Sequence, residues 1–199
     1  MTSSDMDFME FLRARRSTRR FKSDSLPAPV IERILKTATF APSAHNLQPW
    51  RFVIIQTRSA KSALGKALTQ KMRLDMESEG ELQADIDSRV KCSLRRIDEP
   101  PVTILLCRDV TVIRDEEPEE HVMAVQSVAL AGLQLMLAAQ AEGLGTNWIC
   151  WPLYAQEAVQ SALDLPVAWE PQGMIFIGYP DEEPGKKELK ELGSLILYL

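Results

Sequence analysis

The ten residues Ala41-Pro-Ser-Ala-His-Asn-Leu-Gln-Pro-Trp50 carry more hydrogen-bonding side chains than a short connection requires. Ser43, His45, Asn46 and Gln48 lie between Pro42 and Pro49, and each proline biases the residue before it towards extended backbone. A loop stiffened at both ends and loaded with donors and acceptors suits the grip of a planar polar ligand. A second group stands near the N-terminus, Arg15-Arg16-Ser17-Thr18-Arg19-Arg20-Phe21. Four guanidinium groups within one short stretch repel each other unless an anion sits among them. Guanidinium binds phosphate bidentately and a serine hydroxyl adds an uncharged donor, so this cluster points to a phosphate.

Other chemistries are poorly served. There is no Walker loop, and Gly143-Leu-Gly-Thr-Asn-Trp148 lacks a third glycine and precedes a strand rather than a helix, so the usual dinucleotide fingerprint is absent. Ser43 and His45 share a loop without the elbow motif of a serine nucleophile. Cys150, flanked by Ile149 and Trp151, is expected to be a core thiol. With His45 and His121 as its two histidines, the chain is not expected to hold a metal.

The chain has 199 residues and a net charge of −5, which disfavours nucleic acid as a partner. Cys92, Cys107 and Cys150 are widely spaced and odd in number, as expected of reduced thiols in a cytoplasmic protein. Met1–Asp7 is polar and acidic, unlike a signal peptide. Residues 122–141 carry no charge and match a membrane span in length, but Gln126, Ser127, Gln134 and Gln140 favour a core or subunit-interface helix, so no membrane partner is expected.

The elements that must position these groups follow from periodicity. Helices are predicted over 7–15, from Ser25–Pro27 through Ala38 (with Ile31, Ile34 and Leu35 on one face), over 59–72, 82–96 and 156–163, and from about Glu119 to a glycine cap at Gly143. Residues 115–120 read as a solvated acidic loop favouring that last helix start. Strands are predicted over 51–56, 102–107 and 173–178, and 146–151 reads as a strand or extended loop. The apolar Leu195–Leu199 reads as a strand that needs a sheet edge to join. No repeat or linker is visible, so residues 1–199 are expected to form one α+β domain.

Four segments in order resemble the motifs of the FMN-dependent nitroreductase family: Arg15–Phe21, Ala41–Trp50, Gly143–Trp148 and Ile177-Gly-Tyr-Pro180. The resemblance implies an α+β sandwich with a mixed, mainly antiparallel sheet flanked by helices, in an intertwined homodimer with C-terminal strand exchange and shared sites. It implies that Arg15, Arg16, Ser17 and Arg19 hold the FMN phosphate and ribityl chain. Pro42, Ser43, Ala44 and Asn46 would reach the flavin held mainly by the other subunit, with Gln48 supporting the loop and His45 acting as scaffold. Trp148, Ile149 and Cys150 would line the isoalloxazine ring. Where relatives use a C-terminal arginine, this chain has Lys186 and Lys187. The implied activity is ping-pong transfer from NADH or NADPH to a small nitroaromatic, quinone or enone acceptor, with no catalytic side chain. The last two motifs also resemble a flavin domain of deazaflavin-cofactor biosynthesis, which implies as an alternative a reductase of a biosynthetic intermediate; a flavin-binding module without turnover is a separate alternative.

Overall fold

In the computed structural model, residues 7–115, 117–183, 185 and 187–199 are described. Six helices, α1 (Phe8–Ala14), α2 (Ala28–Ala38), α3 (Arg58–Ser78), α4 (Gln83–Asp98), α5 (Pro118–Ala141) and α6 (Gln156–Ala162), flank four strands, β1 (Trp50–Ile55), β2 (Val102–Asp109), β3 (Gly145–Ile149) and β4 (Trp169–Gly178). The strand order is β1-β2-β4-β3 and every strand pair is antiparallel. Among the described residues, the parallel component is a single bridge from Ser17, which is in no named strand, to Thr146 of β3.

Both faces of this sheet are covered, which explains why its central strands read as unbroken apolar runs. Val102, Ile104 and Leu106 of β2, with Ile175 and Ile177 of β4, pack against Ile31 and Ile34 of α2 and Val128, Ala131 and Leu135 of α5. The alternate residues Leu105, Cys107, Met174 and Phe176 face Leu64 and Leu68 of α3 and Val159 of α6. The period of two along each strand therefore sends successive side chains into two separate cores.

The helix α5 organises the site. Ala124, Ser127, Val128, Ala131, Leu135 and Ala139 form its buried stripe, at the three- and four-residue spacing of one helix face. It begins with Glu119 and Glu120 in its first turn, so these residues of the expected acidic loop are helical, where the helix dipole favours their charge. It ends at Gly143, whose φ of 74° turns the chain; the N–H of Leu144 bonds to Ala139 O and that of Gly143 to Gln140 O. By length and composition α5 could also cross a membrane. Val122, Val125, Leu130 and Leu133 stay exposed on its other face.

Two expectations change. Leu195–Leu199 forms no strand: a 3-10 turn at Leu192–Leu195 leads into an exposed end, with Leu197 80% and Tyr198 87% accessible. A strand needs a neighbour to take its backbone hydrogen bonds, and within one chain this segment has none. β4 starts at Trp169, earlier than the glycine at 173, because Trp169 pairs with Asp109 across a bulge at Leu106/Cys107.

Candidate functional site

The arginine cluster is built where α1 stops. Asp7 caps the helix start through the N–H of Met9, and Arg16 closes its other end by donating to Arg13 O (2.6 Å) and Arg15 O (2.9 Å). The chain then runs extended along the sheet edge: Thr18 N–H bonds to Thr146 O at 2.8 Å, and Lys22 N–H to Tyr179 O at 2.9 Å. Gly145 is required for this approach, since a Cβ there would fall 2.4 Å from Thr18 Oγ1. Gln140 ties α1 to α5 by donating to Phe11 O at 2.6 Å.

This architecture brings Arg15, Arg16, Ser17 and Arg19 into one cleft of about 200 Å³, and the C-terminal tail returns to place Lys187 and Gly185 in its wall. Lys186 lies outside the described residues. An adjoining cleft of about 280 Å³ shares Arg15, Arg16 and Ser17 and extends over Thr18, Gly145, Thr146 and Glu182. Among the described residues, no carboxylate forms an ion pair with Arg15, Arg16, Arg19 or Lys187. Several converging cations whose side chains pair with no carboxylate form a binding place for an anion, although Glu182 lines the adjoining cleft.

The loop after α2 is strained and braced. His45, Asn46 and Gln48 have φ values of 51°, 56° and 50°, a left-handed backbone that costs a non-glycine residue roughly 1 kcal/mol or more. Ser43 Oγ accepts the N–H of Gln48 at 3.1 Å, and Gln48 Nε2 donates to Asn46 Oδ1 at 3.2 Å. From outside the loop, Ser127 Oγ of α5 accepts the N–H of Ala44 at 3.2 Å, and Arg51 donates to Gln48 O. His45 lies 3.4 Å from a Glu120 carboxylate oxygen and 3.2 Å from Arg114. Pro42, Asn46 and Gln48 remain exposed, while Ser43 and Ala44 are half-buried.

Trp148, Ile149 and Cys150 close β3. The Trp148 indole packs between Gly132 of α5 and Gly173 of β4, where a Cβ would meet it at 2.2 Å and 3.1 Å. Its Nε1–H donates to Cys150 Sγ at 3.1 Å. Cys150 is exposed, which corrects the expected core thiol: it lies just past the end of β3, beyond the last strand pairing. The buried thiol is Cys107, whose burial pushes its pKa up to about 12.

These groups do not meet in one chain. The loop contacts α5 at Ser127, and the cleft lined by Arg15 and Arg16 reaches it at Gln140, roughly 20 Å apart at 1.5 Å per residue. None of the described clefts joins the two. Among the described residues no cluster suits a metal ion. Sequence reasoning passed over Ser127 and Glu182. A lone hydroxyl on an otherwise apolar helix was the available signal for Ser127; Glu182 sits in a polar tail that offers none.

The sequence profile of the Nitroreductase family matches residues 12–179. The chain belongs to the nitroreductase family. Among its relatives, a 5,6-dimethylbenzimidazole synthase of Rhodospirillum rubrum is 30% identical over 90% of this chain and 84% of its own length. A protein of Methanothermobacter thermautotrophicus, provisionally named NADH dehydrogenase/NAD(P)H nitroreductase, is 27% identical over 94% of this chain and 84% of its own. The nitroreductase fold is matched by the structure of a BluB-like flavoprotein from Clostridium difficile 630, with a TM-score of 0.80 and 20% identity, covering 98% of this chain and 100% of that one.

Proposed function

We propose that this nitroreductase-family protein binds FMN and passes reducing equivalents from NADH or NADPH to a small organic acceptor of the nitroaromatic, quinone or enone class. The observation that carries this reading is the cleft in which Arg15, Arg16, Ser17, Arg19 and Lys187 converge, with no carboxylate among the described residues ion-paired to the cations. The donor set fits a phosphate monoester: guanidinium forks and a point-charge ammonium match its oxygens, and the serine hydroxyl adds a neutral donor. FMN, when bound, supplies the two-electron exchange with nicotinamide and acceptor. The protein's residues hold the phosphate, orient the ring against the β3 end at Trp148, Ile149 and Cys150, and exclude water around it.

The strained loop serves a second copy of the chain in this reading. Among the described residues, no cleft of one chain contains both the arginine cluster and Pro42, Ser43, Ala44, Asn46 and Gln48. The exposed α5 face and the apolar C-terminal end are the surfaces that a homodimer would cover, and strand exchange would give Leu195–Leu199 the neighbour it lacks. The widely spaced, unbridged cysteines suit a cytoplasmic setting. A biosynthetic role for the same bound flavin is the second reading, favoured by the name of the 30% identical relative.

The test is binding and complementation. FMN should bind far more tightly than riboflavin, and Arg15→Ala or Arg16→Ala should narrow that difference. A mixture of an Arg15→Ala/Arg16→Ala chain with an Asn46→Ala chain should regain FMN sites, because a mixed dimer contains one intact pair. FMN and riboflavin of equal affinity would remove the phosphate assignment; failure of mixed dimers to complement would remove the shared site.

A further inference from the structure

The arginine segment is held against the C-terminal tail by a short pairing. Asp181 N–H bonds to Arg20 O at 3.0 Å, Lys22 N–H to Tyr179 O at 2.9 Å, and Phe21 bridges to Pro180. Main-chain pairing alone leaves the N–H groups of Arg19 and Arg20 unsatisfied. Glu182 meets both: its Oε1 accepts a short hydrogen bond from Arg19 N–H and a second, at 3.3 Å, from Arg20 N–H. The same carboxylate lines the cleft that contains Arg15, Arg16 and Ser17. Further along the tail, Gly185 and Lys187 line the neighbouring cleft.

We infer that Glu182 is a positioning residue for the flavin phosphate: by accepting the Arg19 and Arg20 backbone N–H groups, it sets the arginine segment and the Lys187-bearing tail in register. This rests on the assignment of the cleft to FMN phosphate. What positioning requires of Glu182 is acceptor oxygen geometry. Its negative charge gives no attraction to a phosphate and opposes it at close range. The two properties separate in glutamine, which keeps a carbonyl acceptor of the same reach and loses the charge.

The experiment measures FMN and riboflavin affinity by flavin fluorescence quenching for wild type, Glu182→Gln and Glu182→Ala, with amide hydrogen exchange read at Arg19 and Arg20. Glu182→Ala should weaken FMN binding about tenfold, the order of one charge-assisted hydrogen bond, and leave riboflavin binding unchanged. It should also speed exchange at both amides. Glu182→Gln should restore slow exchange and FMN affinity to within about threefold of wild type or better. Far-UV circular dichroism on each variant separates local release from unfolding. Unchanged FMN affinity in Glu182→Ala, or equal tightening in both variants, would overturn the inference, the second outcome marking the carboxylate as a competitor for the phosphate. Loss in Glu182→Gln equal to that in Glu182→Ala would also overturn it. If wild type itself fails to prefer FMN over riboflavin, the phosphate assignment has failed and the inference falls with it.

Discussion

Replacing Gly132 by alanine isolates the contact on which the β3 end of the site depends. In an exposed helix the change would gain about 1 kcal/mol from helix propensity. Here the new Cβ would fall 2.2 Å from Cζ3 and 3.0 Å from Cη2 of Trp148, and 2.9 Å from Cδ1 of Leu106. The indole has little room to withdraw, because its other side faces Gly173 and its Nε1–H is held by Cys150. Leu106 is fully buried in the core. A 2.2 Å approach puts the overpacking cost at about 3 kcal/mol, the upper end of the usual range, so a net loss of about 2 kcal/mol is expected after the propensity gain. For a chain of this length that lowers Tm by about 4–8 °C. Thermal unfolding by circular dichroism, run also on Trp148→Phe and the double variant, should show the loss relieved when the ring is smaller. A Gly132→Ala protein with unchanged or raised Tm would refute the close packing of Trp148 on α5.

Three further outcomes follow from the geometry. Asp109 is buried, which pushes its pKa up, but hydrogen bonds from Thr111 and the Arg51 guanidinium at 2.7 Å outweigh burial and hold it below its ordinary 3.8. Its stabilisation is therefore present above about pH 4 and lost as pH falls through the lowered value. Asp109→Asn should cost about 1–3 kcal/mol in urea unfolding at pH 7 and progressively less as pH falls through the lowered value. Thiol titration of the folded, flavin-free protein at neutral pH should reach Cys92 and Cys150 and spare Cys107 until denaturant is added. Ser127→Ala removes the acceptor of the Ala44 N–H, and should cost about 1–2 kcal/mol and speed amide exchange through residues 44–48.

What the sequence made legible was local. Prolines at 42 and 49 marked a helix-to-strand junction because proline restricts its own and its neighbour's backbone, and the strand β1 does begin at Trp50. The glycine end of α5 was readable for a similar reason: Gly143 takes the left-handed conformation that other residues avoid. The chemistry of the arginine segment was readable from charge alone. What could not be read was distance. The separation of the loop from the arginine cleft depends on where each touches α5, and neither Ser127 nor Gln140 announces those contacts. Cys150 looked like a core residue because Ile149 and Trp151 flank it, yet it lies beyond the last paired residue of β3 and turns outward. Lys186 and Lys187 could be named together by resemblance, but only the tertiary structure puts Lys187 in one cleft with Arg15 and Arg19.

The central claim is that the cleft holds FMN for electron transfer, and one spectrum tests it. Protein loaded with FMN is placed under anaerobic conditions and mixed with NADH or NADPH while absorbance near the flavin maximum is followed. The flavin band should bleach with at least one nicotinamide and return when a quinone or nitroaromatic acceptor is added. A protein that retains FMN while both nicotinamides leave its spectrum unchanged would contradict the account and mark the chain as a flavin-binding module.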